Sequence, residues 1–536
     1  MKGFWLLIGG IVYLAGMAHA YDPPEIITVI EPDSGDYCFA HEFCCIGDQN
    51  ADACAELLLS TRNGDQNNYT IHTNLYYGSE NMDGELDLQF MPLDQFRVVG
   101  NRINFIGRIS DEQQGIWGLN AWDVDSIGVG RCYLNLYQGG EGLDNEPEQV
   151  LTKADGKGFV IGSGINTRPT DLNGDGYNDL ITFQIVDTIS LFQVYFGGEE
   201  LDTIPDWQVT LLTNLAMRCE YSSGYDVNGD GYDDILLRTC NSWRVHPTEY
   251  WYHLYLGGDP MDTSSVWEFN EYDLRRHGEE FYWFMRRGFT LLPDVNDDGY
   301  DDWGIYYLEF YFEFEDDGYF VFFGSEEPDT TPDLDLQGFN NLAAGDGDGY
   351  LAGGDFNGDG IGDIVTNNWG GDWGDGVIHL HFGSRWIDEN PDLSVNCRHI
   401  YGDRYDRVGA VGDYNGDKID DFVIAKRSRV LILAGNGDWR VEAPAEDHPP
   451  EMHQLSLTAF PNPFNRTVSF RFTLTREDLV RLSVYDVNGR LVARPLCRKM
   501  AAGRQTIEWQ HNVAGIYFAI LSVSGQRTIT KVLCLP

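Results

Sequence analysis

An acidic stretch of nine residues that recurs five times is the feature that most constrains how this chain can fold. The copies occupy residues 171–179, 226–234, 294–302, 355–363 and 413–421, and we call each copy an acidic loop. Counted from its first Asp, each loop carries oxygen-bearing side chains at positions one, three, five and nine. A backbone carbonyl is available at position seven. Position six is Gly in four copies and Lys418 in the last.

The ligand chemistry of these loops predicts calcium. Hard oxygen donors at alternating positions of a tight loop suit Ca²⁺, and Gly at position six permits the sharp turn. Asp, Asn and Gly also form metal-free Asx turns, but five copies with one ligand spacing favour about five calcium ions. The predicted ligands, with the main-chain carbonyl at position seven, are Asp171, Asn173, Asp175, Tyr177, Asp179, Asp226, Asn228, Asp230, Tyr232, Asp234, Asp294, Asn296, Asp298, Tyr300, Asp302, Asp355, Asn357, Asp359, Ile361, Asp363, Asp413, Asn415, Asp417, Ile419 and Asp421.

A glycine at the end of an aromatic or apolar run gives the length of the repeat. We call these residues the landmark glycines, and they recur at intervals of about sixty residues, which indicates a true internal repeat. We number the repeat units one to seven by their landmark glycines, which are Gly78, Gly139, Gly197, Gly257, Gly324, Gly383 and Gly435.

Seven landmark glycines but five complete acidic loops predict that units one and two hold decayed loops. Residues 48–56 of unit one keep oxygens at positions one, three, five and nine, but Ala53 replaces the turn glycine. Whether this loop binds metal is left open. Unit two has lost most of its ligands around Ile109, and we expect no metal there.

Each unit has the pattern of four short strands separated by turn residues. In unit three an apolar run at residues 180–185 follows the acidic loop, and a second run at 191–196 ends at the landmark glycine. No segment shows sustained helical periodicity. Four short strands per unit are typical of a propeller blade, and seven blades can close radially with few exposed edges. We therefore predict an all-β fold with a seven-bladed β-propeller in residues 21–440.

The acidic loops and the glycine-ended strands that follow them resemble FG-GAP (VCBS-type) repeats, as in the propeller of integrin alpha chains. The resemblance covers residues 33–445. It implies a seven-bladed propeller with Ca²⁺ in the loop that joins the first two strands of a blade. The family includes adhesion receptors, lectin-like modules and secreted bacterial proteins, so the resemblance implies architecture and metal more than a particular partner.

Charge and the start of the chain indicate where the protein works. A formal net charge of -49 excludes a nucleic-acid partner and adsorption to anionic lipid, since both need a basic surface. Residues 1–20 have a positive start, an apolar run and a small-residue cleavage site, which predicts a signal peptide and export. A transmembrane anchor is the alternative, but the apolar run is shorter than a span needs. No other stretch is long and apolar enough to span a bilayer, and we expect a monomer.

Ten cysteines suit an exported protein, and we expect disulfide bridges among them. Cys219 and Cys240 flank the acidic loop of unit four and could face each other across a hairpin. Four cysteines cluster early in the chain, and two lie near its end. The sequence leaves their pairing open. The early cluster is Cys38, Cys44, Cys45 and Cys54, and the late pair is Cys497 and Cys534.

The C-terminal part differs in composition from the rest of the chain. Residues 441–454 are rich in Pro and charge and predict a linker. From residue 455 to 536 the chain has 11 Lys and Arg against 4 Asp and Glu, a reversal of sign that marks a separate domain. Alternating apolar and polar runs predict a small immunoglobulin-like β-sandwich.

Five short motifs of this domain resemble the type A sorting domain of type IX secretion. They lie at residues 460–465, 484–491, 502–503, 514–517 and 530–533. The resemblance implies a bacterial protein that meets the type IX secretion machinery, crosses the outer membrane and is released or attached at the surface. An ordinary immunoglobulin-like module is the alternative.

The sequence contains no catalytic motif that outweighs a structural explanation. His379 and His381 fall at alternate positions of a predicted strand, a pair that is more often structural. Two hypotheses therefore remain. The first is a non-catalytic binding or adhesion propeller with an extracellular protein or glycan as its ligand. The second is a propeller enzyme, such as a polysaccharide lyase or hydrolase, with its site in the central pocket.

Four tryptophans are the candidate ligand-binding residues of the first hypothesis. They are expected on the face opposite the acidic loops, where exposed aromatic rings suit sugar or protein binding. Packing within the blades explains them equally well. They are Trp243, Trp251, Trp369 and Trp373.

Overall fold

A computed structural model provides the structure of the protein. It describes residues 21, 23–32, 36–65, 68–79, 84–90, 98–110, 116–124, 130–140, 143–151, 168–186, 189–199, 204–212, 219–240, 250–270, 289–311, 314–337, 350–368, 376–402, 405, 407–426, 429–439, 457–460, 462, 464–474, 478–487, 490–500, 503–511, 513–523 and 526–535. The predicted signal peptide and the predicted linker lie outside these residues.

The chain divides into two compact parts, Met1–Val441 and Glu442–Pro536, which we call the N-terminal and C-terminal regions. Both are built from antiparallel β-sheets. The described residues contain a single helix, α1 (Cys397–Ile400), which is one turn long. The predicted all-β class is confirmed.

The N-terminal region repeats one sheet design. The strands of its first half are β1 (Ile26–Ile30), β2 (Asp36–Cys45), β3 (Leu57–Asp65), β4 (Asn68–Tyr76), β5 (Leu88–Phe90), β6 (Val98–Gly107), β7 (Ile116–Val124), β8 (Gly130–Gln138), β9 (Gln149–Leu151), β10 (Leu180–Val186), β11 (Ile189–Tyr195) and β12 (Trp207–Leu212). The strands of its second half are β13 (Cys219–Ser223), β14 (Ile235–Cys240), β15 (Tyr250–Tyr255), β16 (Trp267–Asn270), β17 (Phe289–Leu292), β18 (Asp302–Tyr311), β19 (Phe314–Phe322), β20 (Leu334–Gln337), β21 (Leu351–Gly354), β22 (Asp363–Asn368), β23 (Val377–His381), β24 (Leu393–Asn396), β25 (Arg407–Gly412), β26 (Asp421–Lys426) and β27 (Arg429–Leu433).

Each repeat unit contributes one antiparallel meander. Units four, five and six are four-stranded sheets in the orders β13-β14-β15-β16, β17-β18-β19-β20 and β21-β22-β23-β24. Unit three has the described strands β10-β11-β12. Units one and two share an eight-stranded sheet, joined where Ile71 of β4 meets Val98 of β6 in a parallel pairing.

The strands are apolar on both faces because each sheet is covered by its neighbours. In β26 the first five residues are buried, and in β21 all four are. Apolar side chains from successive units share buried clusters. Leu236 and Leu254 of unit four, for example, pack with Trp303 and Phe322 of unit five. The core of the N-terminal region therefore lies between the sheets.

The first described strand completes the sheet of unit seven. β1 pairs antiparallel with β27 and gives the order β1-β27-β26-β25. Units one and seven also share a buried cluster, in which Leu57 and Leu59 pack with Val423 and Ile432. The two ends of the repeat array are therefore joined, as the closure of a propeller requires.

The C-terminal region is a sandwich of two sheets around one buried core. Its sheets have the orders β28-β29-β32 and β31-β30-β33-β34, and both contribute to the same apolar cluster. The strands are β28 (Thr458–Phe460), β29 (Arg466–Leu474), β30 (Asp478–Asp486), β31 (Leu491–Met500), β32 (Gly503–His511), β33 (Gly515–Val523) and β34 (Gln526–Cys534).

Two of the sorting motifs meet in this sandwich. The side-chain amide of Asn462 donates to the carbonyl of Lys531 at 2.7 Å, and its carbonyl oxygen accepts the N–H of Leu533 at 2.9 Å. The N–H of Phe464 donates to the carbonyl of Leu533 at 2.8 Å. The first and last motifs of the domain are therefore held together, and they cover the end of the edge strand β34.

The expected disulfide bridges are not found at the cysteines whose side chains are described. Cys44, Cys45, Cys54, Cys397 and Cys534 are all free thiols, and four of the five are buried. The expectation of bridges was therefore wrong for these residues. Burial explains why thiols are kept there, because a buried Cys packs as a small apolar side chain.

Candidate calcium loops and the ring they form

Each acidic loop wraps its own backbone around the side chain at position one. In unit three, Oδ1 of Asp171 accepts the N–H groups of Gly174 at 2.7 Å and Asp175 at 3.2 Å, and Oδ2 accepts that of Gly176 at 2.9 Å. Oδ1 of Asn173 accepts the N–H of Asp175 at 3.1 Å. The side-chain oxygens of positions one, three and five therefore turn into one loop.

The same turn occurs in all five loops. Oδ2 of the position-one Asp accepts the N–H of position six at 2.7 to 2.9 Å in the other four copies, from Gly231, Gly299, Gly360 and Lys418. Lys418 adopts φ 73°, so this residue keeps the left-handed turn despite its side chain. Asp297 does the same at position four of unit five, with φ 54°.

The Asp at position nine is buried and ties the loop to the landmark glycine. In unit five, Oδ2 of Asp302 accepts the N–H of Val295 and Oδ1 accepts the N–H of Gly324, both at 2.8 Å. All five loops repeat this pair of bonds. In units three, four and five each of these carboxylate oxygens keeps a further lone pair, so the bonds leave room for a cation. In units six and seven Oδ2 also accepts the N–H of position three, from Asn357 and Asn415, both at 3.2 Å.

Burial raises the pKa of these position-nine carboxyl groups. It raises the pKa of Asp179 and Asp234 to about 8 and that of Asp421 to about 7, with the neighbouring loop carboxylates adding to the effect. It raises the pKa of Asp302 and Asp363 well above the ordinary value. A dication beside such a group favours its ionised form. The donor set therefore fits a hard divalent cation.

Position eight joins each loop to the loop before it. The N–H of Asp233 in unit four donates to the carbonyl of Asp171 in unit three at 3.1 Å, and its carboxylate accepts the N–H of Asp171 at 2.7 Å. Two further pairs of loops are joined in the same two ways. They are Asp301 with Asp226 and Asp420 with Asp355.

These contacts run through every unit and return to the first. Where position eight is not Asp, its N–H still bonds to the previous unit, as Gly362 does to Asp294 at 2.9 Å. Units one and two are joined by Gly140 to Gln49 at 2.7 Å, and units two and three by Asn178 to Arg108 at 2.6 Å. The cycle closes where Ala55 of unit one donates to the carbonyl of Asp413 in unit seven at 2.7 Å.

Position seven contributes packing as well as a carbonyl. A Cβ added to Gly174 at position four would lie 2.7 Å from the ring of Tyr232 in the next unit, and Gly229 has the same relation to Tyr300. Glycine at position four therefore makes room for the neighbour's aromatic side chain. The sequence signal for this contact is the recurrence of Gly at four and an aromatic or Ile at seven.

The decayed loop of unit one folds like the complete loops. Oδ2 of Asp48 accepts the N–H of Ala53 at 2.9 Å, and Oδ1 of Asn50 accepts that of Asp52 at 2.9 Å. Ala53 takes φ 71° in place of glycine. Among the described residues, one group of three carboxylates has ligand oxygens within 4.8 Å of one another, and it is Asp48, Asp52 and Glu56. Burial raises the pKa of Glu56 to about 8.

The loop of unit two still forms hydrogen bonds with the loop of the next unit, although its sequence has lost most of the metal ligands. The carbonyls of Arg108 and Ile109 accept N–H groups of Asn178 and Gly198 in unit three, at 2.6 and 3.0 Å. Residues 111–115, which carry the rest of this loop, lie outside the described residues. The expectation that this loop binds no metal stays a prediction.

The predicted aromatic surface is described at one of its four residues. Trp251 is half-buried in β15, where it pairs with Thr239 on one side and Asn270 on the other. Trp243, Trp369 and Trp373 lie outside the described residues. Ligand binding by these tryptophans stays a prediction.

The two histidines of β23 are buried. Nδ1 of His379 lies 2.8 Å from Oγ of Ser394. Burial lowers the pKa of His379 to about 4 and that of His381 to about 3, where proximity to His379 adds to the effect. Both imidazoles are therefore neutral at physiological pH, which agrees with a structural role.

Arg168 is a residue that the sequence did not single out. Its guanidinium lies 4.8 Å from the ring centre of Tyr225 in unit four. Tyr225, then Asp420 of unit seven and Asp301 of unit five, raise the pKa of Arg168, and desolvation opposes them. These neighbours come from units four, five and seven.

No helix in the described part of the chain is both long and apolar enough to cross a membrane. Residues 458–534 match the family of the secretion system C-terminal sorting domain. A search among curated protein sequences finds no match to the chain.

Solved structures with a similar course of the chain are distant. The chain is similar to a structure described as the Dos1 propeller, with 9% sequence identity, a TM-score of 0.38, and coverage of 77% of this chain and 95% of that one. It is also similar to dimeric latent PorU from Porphyromonas gingivalis, with 11% identity, a TM-score of 0.13, and coverage of 82% of this chain and 33% of that one.

Four-stranded meanders, a cycle of hydrogen bonds through the units, and the first strand completing the last sheet together make a β-propeller. The matched domain at the C-terminus is a signal for type IX secretion. The chain is therefore a β-propeller protein with a type IX secretion sorting domain, exported to the cell surface or released from it.

Proposed function

We propose that the protein is a calcium-stabilised binding propeller of the FG-GAP type, without catalytic activity, that recognises an extracellular protein or glycan. The observation that carries the calcium part is the common hydrogen-bonded turn of the five acidic loops. In unit four, for example, Asp226, Asn228 and Asp230 direct side-chain oxygens into one turn. Oxygen ligands in such a turn suit Ca²⁺.

Calcium would stabilise the whole propeller as well as the individual loops. In units four to seven the acidic loop joins two described strands of its own sheet. All five loops are bonded to the loop of the preceding unit, so an ion in one loop steadies two units. Without ions, the clustered carboxylates repel one another. An ion that binds the folded state alone adds about 2.7 kcal/mol per site when its concentration is 100 times Kd.

Removal of calcium tests this part. We expect the melting temperature of the whole chain to fall by roughly 10 °C or more in excess EDTA at neutral pH, because several sites each lose the contribution that mass action gives. Calcium added back in excess should restore it. A melting curve that is the same with and without EDTA contradicts a structural role for calcium.

The binding role rests on the resemblance to FG-GAP repeats, on the lack of a catalytic motif in the sequence, and on the exposed acidic surface of the loops. We expect saturable binding without turnover when the calcium-loaded chain is applied to an array of glycans and extracellular proteins. Trp251→Ala should weaken the binding of a hit if the tryptophan surface makes the contact, since a buried aromatic ring is a common anchor of an interface.

The cluster around Arg168 favours a second candidate, an enzyme that cleaves a polysaccharide in the central pocket. Arg168 lies over Tyr225, and the carboxylates of Asp420 and Asp301 are among the groups that raise its pKa. Arginine, tyrosine and carboxylates are groups that can bind and exchange protons with an acidic sugar. Both oxygens of Asp301 accept backbone N–H groups, at 2.9 and 3.0 Å, which favours a structural role for that residue.

Turnover separates the two candidates. Each glycan that binds is incubated with the calcium-loaded chain, and new reducing ends and unsaturated products are measured. Products that form with the wild-type chain and are lost in Arg168→Lys would establish the enzyme. Binding without products, unaffected by that substitution, supports the binding propeller.

A further inference from the structure

The loop of unit one contains an oxygen atom that its own fold leaves without a partner. Glu56 is fully buried. Its Oε2 accepts the N–H of Gln49, but its Oε1 has no hydrogen-bond donor among the described residues. In the complete loops the second oxygen at position nine accepts the N–H of the landmark glycine, as Asp302 accepts that of Gly324. With Glu at position nine, Oε1 is left without such a hydrogen bond.

Once Glu56 is ionised, its buried oxygen without a donor needs a positive partner, because burial of an unpaired charge is costly. Two further carboxylates are close to this one, since oxygens of Asp48, Asp52 and Glu56 lie within 4.8 Å of one another. The side chain of Asn50 and the carbonyl of Cys54 stand at the remaining ligand positions of the loop. All five groups supply hard oxygen ligands, the set that Ca²⁺ prefers.

The backbone of this loop already forms the turn seen in the five complete loops. Its internal hydrogen bonds are those of the complete loops, in which the carboxylate of Asp48 accepts the N–H groups of Ala51 at 2.7 Å and Ala53 at 2.9 Å. The two alanines hold φ 66° and 71°, where the unit-three loop has Gly174 and Gly176 at 72° and 87°. The consensus glycines are therefore not needed for the turn.

The loop also lies at the seam where the ring closes. The N–H of Ala55 donates to the carbonyl of Asp413 in unit seven. The landmark Gly78 has no room for a Cβ, because its ideal position is 2.4 Å from the carbonyl oxygens of Ala55 and Tyr414. A cation that fixes this loop therefore fixes the contact between the first and last units.

From this geometry we propose a sixth cation site, which takes Ca²⁺ between Asp48, Asn50, Asp52, Glu56 and the carbonyl of Cys54, and which steadies the seam between units one and seven. The site rests on the proposed function, because it uses the chemistry assigned to the five complete loops. It goes beyond that proposal in assigning an ion to a loop that lacks the consensus glycines.

The number of bound ions tests the site. The full chain is stripped with EDTA, and calcium binding is counted by equilibrium dialysis with Ca²⁺ alone. We expect six ions per wild-type chain and five in Asp52→Asn. Asp52 is exposed, and Asn can still accept the N–H of Cys54, so this variant keeps the turn. Glu56→Gln, which retains an acceptor for Gln49, should also bind five.

A matched control removes the same charge elsewhere. Asp438 is exposed beside the landmark of unit seven, and Asp438→Asn should still bind six ions. A count of five in the wild type that Asp52→Asn leaves unchanged overturns the sixth site while the proposed function stands. A wild-type chain that binds no calcium overturns both.

A second measurement reports on the seam. Loss of the ion should expose the ring closure to local opening, so hydrogen exchange at β1 and β27 should be faster in Asp52→Asn than in wild type at saturating calcium. In Asp438→Asn these strands should exchange at the wild-type rate. Equal exchange in Asp52→Asn and wild type would overturn the proposed effect on the seam.

Discussion

The carboxylate at position nine both holds the local turn through hydrogen bonds and supplies a negative charge to the loop. Asp363 accepts the N–H of Phe356 at 2.9 Å and that of Gly383 at 2.7 Å, so it joins the loop to the strand that ends twenty residues later. A carboxylate held by two N–H groups is oriented before any ion arrives. Preorganisation of this kind reduces the ordering cost of binding.

The buried histidines are the other residue-scale feature, and they carry a pH dependence that is separate from the acidic loops. His381 has a pKa of about 3 in the folded chain because burial disfavours the charged ring, against 6.5 ordinarily. A group whose folded pKa is lowered in this way takes up protons on unfolding. The folded state therefore loses stability as the pH falls below 6.5.

We predict that His381→Gln reduces the acid sensitivity of the fold. At pH 5 the difference in pKa corresponds to about 2 kcal/mol of unfolding free energy lost by the wild type through this one residue. The variant, which cannot be protonated there, should lack that loss. Chemical denaturation at pH 7 and pH 5 in excess calcium measures it. The same change with pH in both proteins would contradict the assigned burial of a neutral ring.

At the scale of elements, β1 is the strand on which closure of the ring depends. Thr28, Val29 and Ile30 pair with β27, and the carbonyl of Glu25 accepts the N–H of Ala434 at 2.9 Å. The N-terminal strand thus covers an edge that would otherwise be exposed, which is how closed β-architectures protect their edges. Ile30 pairs with Val430, 400 residues later in the chain. Separating β1 from β27 would therefore break contacts of both the first and the last repeat unit.

Ile30 and Ile26 allow this role to be measured within one strand. Ile30 is fully buried between units one and seven, whereas Ile26 is 38% exposed. We predict that Ile30→Ala lowers the free energy of unfolding by about 2 to 4 kcal/mol, since a large buried side chain leaves a cavity. Ile26→Ala should cost less than about 1 kcal/mol. Denaturant titration of both variants makes the comparison, and equal effects would contradict the assigned register of β1.

At the scale of the whole molecule, the chain carries two parts with different tasks. The N-terminal region holds almost all of the acidic charge and all of the acidic loops, and the C-terminal region has the opposite sign of charge. The C-terminal region has a core of its own, formed by residues such as Phe470, Trp509 and Leu521. A part with its own core can fold independently.

We predict that deletion of residues 442–536 leaves the propeller folded but stops its export. The truncated chain should keep the calcium-dependent melting transition of the full chain, because every sheet of the propeller lies before residue 441. In a host with type IX secretion it should accumulate in the periplasm. Fractionation with a specific antibody measures its location, and normal arrival at the surface would contradict the assignment of the tail.

A reporter fusion is the matched control for this deletion. Residues 442–536 joined to a passive periplasmic protein should carry that protein across the outer membrane. Asn462→Ala in the fusion removes the clamp between the first and last sorting motifs and should reduce export, because β34 loses two hydrogen bonds at its edge.

The sequence by itself determined the features that depend on neighbouring residues. The spacing of Asp, Asn and Gly within nine positions predicts the turn of each acidic loop, and the landmark glycines predict the number and length of the repeat units. The motifs around Asn462 and Lys531 predicted the sorting domain that was then matched. These signals can be found without a structure because local backbone geometry limits which residue types fit.

Only the tertiary structure decided how distant residues meet. Nothing in the sequence near Ile30 shows that β1 completes the sheet of unit seven, or that position eight of one loop bonds to position one of the loop before it. The sequence left metal binding by the loop of Glu56 open, because a missing consensus glycine is visible in the sequence and an unpartnered buried oxygen is not. These contacts form only when the ring closes. Closure brings together residues that are far apart along the chain, and no local sequence pattern marks such pairs.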